Sequence, residues 1–437
     1  MAEPEAFDLT AHAKYQTPAR TSQVARRLVG SEILRIAAEI RAMQKAGTLV
    51  CNLTVGDFDP RLFPIPQRLE RAIVAAIERG ETNYPPSNGV LELREAVQAF
   101  YELELGLRYP IESVIIASGA RPVIYGTYRA VVDPGEKVLY PTPSWNNNHY
   151  CNMLGAVGVA VACGPETSFM PTAAQLRPHL PHVRLVCLNT PQNPSGTTID
   201  PQVLRAICAE ILGENERREA RGERPVYLMY DHIYWMLTFG GAKHTTPPAC
   251  DPRMARYTIF VDGVSKAFAA TGLRVGWAVG PADVMDKMAN YLGHVGAWAP
   301  RAEQFGCAEL LRDPGAIRAY HAGFVAAVQA RLDRLHHGFQ ALRQEGFPCD
   351  SLAPQGAIYL SARIAPFGKR TPSGQILKTN DDVRRYLLEA AALGIVPFQA
   401  FGVQSDDGWF RLSVGAVSEP DIEMALPRLG EALRSLS

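Results

Sequence analysis

The chain has 437 residues, 47% hydrophobic and 20% charged, with 44 basic and 44 acidic side chains. That length calls for two cores rather than one, and the balanced charge leaves no basic field for nucleic acid. No apolar stretch reaches membrane-spanning length, and the start Met1-Ala2-Glu3-Pro4-Glu5 lacks an apolar signal core.

Residues 1 to about 25 read as a polar arm. A helix is expected from Ser31, as N-cap, to Lys45, with Gly47 stopping it. Ile33, Ile36, Ala37 and Ile40 repeat at helical spacing and point that helix into a core. Val114 to Ala117 form a short apolar strand, followed by Ser118-Gly119-Ala120-Arg121 and a helical run from Pro122 to Val132. A strand, small residues and a helix start make a backbone anion site, and Pro122 suits the first helical turn.

Val183 to Leu188 is a second buried strand, ending in the rigid turn Asn189-Thr190-Pro191-Gln192-Asn193-Pro194-Ser195-Gly196. The mixed-charge block Gly213 to Arg224 reads as a solvated helix end and loop. Val226 to Asp231 is a strand ending in an acid, with Tyr234 three residues on. Tyr257 to Val261 leads into Ser265-Lys266-Ala267-Phe268-Ala269-Ala270-Thr271-Gly272-Leu273-Arg274. There Ser265 and Arg274 offer phosphate contacts, and Gly272 is expected to bend the chain so that Arg274 returns toward Lys266. A long helix is expected from Pro314 to Glu345, and Pro366 to Thr379 reads as a mobile surface loop. Alternating strands and helices imply an α/β fold with a mostly parallel sheet. Its ligand site belongs at the C-terminal strand ends.

The cysteines are Cys51, Cys151, Cys163, Cys187, Cys208, Cys250, Cys307 and Cys349, none at C-x-x-C spacing. No metal site is expected. They read as buried free thiols in a reducing cytoplasm. His12, His244, His336 and His337 show no ligand spacing, and His336-His337 is placed on a solvated helix face.

Four motifs in order, Asn189-x-Pro191-x-Asn193-Pro194-x-Gly196, Asp231-x-x-Tyr234, Ser265-Lys266-x-Phe268-x-x-x-Gly272-x-Arg274 and Phe410-Arg411-Leu412-Ser413, resemble the class I/II aminotransferases. These are fold-type I pyridoxal 5′-phosphate (PLP) enzymes of the aspartate aminotransferase kind, and the resemblance runs from about Leu53 to Arg411. It implies a large domain, 56–308, with a mostly parallel seven-stranded sheet flanked by helices. It also implies a small α+β domain, 309–437, to which an N-terminal arm and helix, 1–55, contribute.

By resemblance Lys266 holds PLP as an aldimine and then moves the Cα proton on the way to pyridoxamine phosphate. Asp231 pairs with the ring nitrogen. Tyr234 and Asn193 bond the ring's phenolate oxygen, and Trp145 stacks on the ring. Gly119, Ala120, Arg121, Ser265 and Arg274 hold the phosphate, joined by Tyr84 from the partner subunit of a homodimer. Arg121-Pro122 departs from the lysine or glutamine that the family often carries there, which puts side-chain help from this loop in doubt. Gly56 and Arg411 receive the substrate, Arg411 by a bidentate grip on its α-carboxylate, with Asn193 beside them.

The implied partners are an amino acid and a 2-oxo acid, with no nucleic acid or membrane. Lyase or synthase chemistry, by β-elimination or cyclopropane-forming elimination, and a non-catalytic PLP-binding module are the alternatives. A nicotinamide dehydrogenase is disfavoured because no G-x-G-x-x-G follows a strand. A dicarboxylate substrate would want a second arginine, for which Arg61 and Arg301 are candidates. Phe58 and Phe63 either favour apolar substrates or simply pack, and Asn146, Asn147 and Asn148 either touch substrate or form a turn.

Overall fold

The computed structural model describes residue 9, residues 20–28, residue 30 and residues 32–437. Ser31, His12 and most of the N-terminal arm lie outside the described residues. The expected helix is present as Glu32–Lys45, with Gly47 left-handed after it. Ile36 and Ile40 are buried.

The chain then forms β1 (Cys51–Asn52) and a seven-stranded sheet of β2 (Val114–Ala117), β3 (Lys137–Thr142), β4 (Val157–Ala162), β5 (Leu185–Asn189), β6 (Tyr227–Asp231), β7 (Thr258–Gly263) and β8 (Gly276–Val279). The strand order is β2-β8-β7-β6-β5-β3-β4. All neighbours are parallel except β8, which runs antiparallel to both β2 and β7. The inner strands are apolar through their middles because both faces are covered, and polar Asn189, Asp231 and Asp262 come only near their C-terminal ends. Helices Leu91–Leu105, Pro201–Glu219 and Arg301–Leu311 pack with Val186, Leu228 and Phe260 on one face. Helices Ala120–Val131 and Ala282–His294 pack with Cys187, Met229 and Ile259 on the other.

A second, antiparallel sheet contains β9 (Cys349–Ser351), β10 (Tyr359–Ile364), β12 (Val396–Pro397) and β13 (Trp409–Ser413), in the order β12-β13-β10-β9. The short strand β11 (Leu393–Gly394) pairs instead with β1. This sheet has its own core, which includes Leu360, Phe410 and Leu412 and is covered by the 31-residue helix Pro314–Gln344.

Four expectations need correction. The block Gly213 to Arg224 is not simply solvated. Glu214 and Arg218 are buried as an ion pair at 2.9 Å, and Arg218 also donates to the carbonyls of Leu180 and Val183. Asn215 exchanges two hydrogen bonds with the Val226 backbone. The block therefore anchors the helix to the start of β6, because buried polar groups need partners. Pro366 to Thr379 is a folded loop: Thr371 and Leu377 are buried, and Arg370 pairs with Ile376. His336 is not a purely solvated residue, since its Nδ1 lies 2.8 Å from Ser351 Oγ. Finally, Gly272 is not the bend. Arg274 itself takes the left-handed conformation, at φ 56°.

Candidate active site

The parallel strands β5, β6 and β7 end on one edge. Antiparallel β8 begins there, so the residues just before it reach the same edge. Asn189 and Asp231 are register partners at the ends of β5 and β6. Lys266 lies in the helical turn Val264–Ala267 directly after β7. Arg274 precedes β8, and its guanidinium donates to Thr271 O at 2.7 Å and Ser118 O at 3.2 Å. Gly119 caps the helix Ala120–Val131 with φ 93°, and a side chain there would run into the Arg274 guanidinium. Ser265 is buried beside Lys266.

Lys266 Nζ donates to Gly56 O at 2.7 Å and sits 5.9 Å from the rings of both Phe58 and Tyr234. Desolvation pulls its pKa down to about 8 against the raising effect of Asp57, with Arg411, Arg121 and Arg274 pulling the same way as burial. Asp231 accepts one backbone hydrogen bond, from Ile233 N at 3.2 Å. It faces a cleft walled by Ile124, Trp145, Cys187, Asn189 and Met229. Burial raises its carboxyl to about 7.

Arg411, on β13, reaches the cleft from the second sheet. It donates to Asn193 Oδ1 at 3.1 Å and to Thr54 O at 2.6 Å. Its guanidinium lies 4.8 Å from the Tyr359 ring centre and 5.0 Å from that of Phe401, and its buried Nε has no hydrogen-bond partner. Asn193 is held by Asn189, whose Oδ1 accepts its backbone N–H at 2.8 Å. Trp145 stands 5.3 Å from the Arg121 guanidinium.

The residues singled out in the sequence therefore gather at one edge, apart from Tyr84. Tyr84 is 80% exposed on the surface, edge-on to Trp298. Arg61 and Arg301 each pair with a carboxylate of their own chain, Asp59 and Glu81, both at 2.6 Å. Phe58 and Phe63 pack together and against Phe324. Asn146 is the left-handed residue opening the helix Asn147–Leu154, and Asn147 accepts from Tyr128 at 2.9 Å and lines the same cleft as Asp231.

Sequence reading missed Tyr359. Its hydroxyl lies 2.7 Å from that of Tyr234, and a side chain at Gly56 would come within 2.9 Å of it. Its only signal was a tyrosine inside the apolar strand Ile358-Tyr359-Leu360, which demands a buried hydroxyl partner.

Residues 48–429 match the sequence profile of aminotransferase class I and II. The chain belongs to that family. This aminotransferase is 32% identical to the aspartate aminotransferase of Rhizobium meliloti, over 93% of this chain and 94% of that one. It is 29% identical to a probable aspartate/prephenate aminotransferase of Rhizobium leguminosarum, over 92% and 96%. The solved Rhizobium meliloti aspartate aminotransferase superposes with a TM-score of 0.86 at 31% identity, covering 96% of this chain and all of that one. The Thermus thermophilus aspartate aminotransferase with maleate gives 0.83 at 28% identity, covering 94% and 99%.

This aminotransferase is accordingly a PLP-dependent enzyme that moves an amino group from an amino acid to a 2-oxo acid. The eliminating and synthase readings gain no support. The donor set suits PLP. Asp231 has no ion-pair partner among the described residues and opens on a cleft with an aromatic wall. The glycine-capped helix start facing Arg274 is an anion cradle that a side chain at Gly119 would fill.

Proposed function

We propose that this aminotransferase acts on a dicarboxylic amino acid of the aspartate kind, as a homodimer, in the cytoplasm. The observation that carries the reading is the convergence of Asp231, Tyr234, Lys266 and Arg274 from one sheet with Arg411 from the other. In this reading, 56–308 carries the cofactor, and 309–437 with 1–55 carries the substrate clamp and closes on it.

PLP, when bound, supplies a ring that accepts the electron pair left when the amino acid's Cα loses its proton. Lys266 Nζ binds the cofactor and, once freed by the amino acid, carries that proton. A pKa near 8 leaves a usable share of neutral amine at neutral pH. Asp231 keeps the ring nitrogen protonated, and Trp145 fixes the ring plane. Asn193 and Tyr234 hold the ring oxygen, with Tyr359 behind Tyr234. The backbone of Gly119, Ala120 and Arg121 would hold the phosphate, with Ser265, Arg274 and Tyr84 of the partner subunit. Arg411 grips the α-carboxylate beside the Gly56 backbone, and its unpartnered Nε is a donor waiting for that group.

The aspartate class is supported by the names of the relatives and by maleate, a dicarboxylate, in the Thermus thermophilus structure. Arg121 is the side chain for the second carboxylate, since it is exposed beside Trp145 without an ion pair among the described residues. Buried free thiols suit a reducing compartment.

The test is an absorbance spectrum of the purified protein before and after L-aspartate without a 2-oxo acid. Bleaching of the yellow colour with release of oxaloacetate is expected. Ammonia release with the colour kept would mean elimination, and a colourless protein indifferent to added PLP would overturn the assignment of Lys266. Arg121→Gln is expected to raise KM for aspartate but not for alanine. An active monomer in sedimentation would contradict the shared site.

A further inference from the structure

Behind the cleft, on the opposite face of the same strand ends, lies a buried polar cluster that the reaction does not touch. His232 follows Asp231, and Asp262 follows Val261, the register partner of Asp231. Side chains alternate along a strand, so His232 and Asp262 face away from the cleft together. Both are essentially inaccessible, as are Tyr101 and Trp277. Asp262 Oδ2 accepts from Tyr101 Oη at 3.1 Å and Trp235 Nε1 at 3.0 Å, and its Oδ1 accepts from Gly263 N at 2.7 Å. Tyr101 Oη also lies 2.8 Å from His232 Nε2 and accepts from Trp277 Nε1 at 3.3 Å. His232 Nδ1 lies 3.2 Å from His244 Nε2.

With Asp262 ionised, one assignment of protons serves each of these contacts. His244 donates to His232, His232 donates to Tyr101, and Tyr101 donates to the carboxylate. Burial holds both imidazoles neutral, lowering His244 to about 3, which this assignment requires.

The three donors to Asp262 explain what the cluster is for. Gly263 opens the turn that carries Lys266. Trp235 is the residue after Tyr234. Tyr101 holds His232, the residue after Asp231. Each of the three cofactor-facing side chains thus has a close chain neighbour tied, directly or through one hydroxyl, to a single carboxylate. A carboxylate with three donors is a stiff junction, because releasing any donor leaves a buried polar group unpaired.

We propose that Asp262 is a positioning residue, the common anchor that sets the relative placement of Asp231, Tyr234 and Lys266 around PLP. The inference rests on the assignment of those three residues to the cofactor. Asparagine at 262 keeps the shape but turns one acceptor into a donor, so its single oxygen can serve Gly263 N or the Trp235 and Tyr101 pair that shares Oδ2, but not all three donors.

The experiment follows bound PLP in purified Asp262→Asn by visible circular dichroism and by the pH midpoint of its absorbance, alongside steady-state kinetics. The expected result is retained colour, an altered dichroic band and a shifted midpoint. kcat should fall roughly 10- to 100-fold, as small misplacements of reacting groups do, with KM for aspartate nearly unchanged. A lower melting temperature with the band, midpoint and kcat of the parent would overturn the proposal, since that is the signature of a structural role alone. If Asp262→Asn does not fold, Tyr101→Phe and Trp235→Phe each remove one donor. Parent-like dichroism and midpoint in both would overturn it equally. Lys266→Ala, run in parallel, separates the two readings. Retained colour there defeats the cofactor assignment, whereas lost colour with a silent Asp262 variant defeats only this inference.

Discussion

Asp231, half-buried, and Asp262, fully buried, are carboxylates one register step apart, on opposite faces of the same sheet edge. Burial raises both to about 7. Asp231 accepts a single backbone hydrogen bond and looks into a cleft. Asp262 accepts three hydrogen bonds and looks into packed aromatics. Different satisfaction at the same sheet edge separates a group kept for a ligand from a group that serves the protein. Arg411, with its orphaned Nε, belongs with Asp231.

The comparison breaks most visibly at Lys266. Lys266→Ala should lower transamination by about 10⁴-fold or more, since one amine acts as both nucleophile and base, and the yellow absorption should vanish. Retained turnover in a coupled assay would sink the cleft-face reading. Arg411→Ala comes next. Loss of its carboxylate grip should cost about 2–5 kcal/mol in kcat/KM for aspartate while PLP affinity stays near normal. Unchanged kinetics would move the carboxylate site elsewhere.

Asp231→Asn tests the comparison with the opposite sign. The folded state holds the Asp231 proton more tightly than the unfolded chain, whose carboxyl titrates near 3.8. Its contribution favours folding below about pH 4 and is withdrawn as pH rises through 7. The PLP-free variant should therefore be more stable than the parent at pH 8, by on the order of 2 kcal/mol after discounting for partial exposure. The difference should disappear near pH 3, and turnover should collapse. Denaturant melts at the two pH values decide it.

The smallest effect belongs to the outer end of the rear cluster. His244→Ala removes one neutral hydrogen bond and should cost about 1 kcal/mol of stability without altering the dichroism of bound PLP. A pH series adds one more check. Capture of PLP by the cofactor-free protein should accelerate as pH rises through about 8 and then level off, because only the neutral Lys266 amine reacts.

Much of the cleft face was legible because its chemistry demands fixed residue types at short spacings: Asp231 with Tyr234, and Lys266 with Arg274. The parallel sheet was legible from continuous apolar runs. The rear face was not, because Tyr101, His232 and Asp262 are brought together by folding across 161 residues. The charge of Asp262 inside an apolar run was a signal that some partner existed, but not which. Gly213 to Arg224 misled for a related reason. Alternating charges look the same whether water or a carbonyl such as Val183 O receives them. Gly272 drew attention as a flexible residue, yet Arg274 makes the left-handed turn, a conformation that composition does not advertise.

All eight cysteines are free and buried, and burial pushes the Cys51 thiol up to about 12. Cys51 and Cys349 sit in the core of the small sheet, Cys208 and Cys307 beneath one face of the large sheet, and Cys151 beneath the other. A thiol-specific dye can reach them only when the surrounding layer opens. The native chain thus carries its own set of clocks, and site-resolved labelling rates would time the opening of each layer without an added probe.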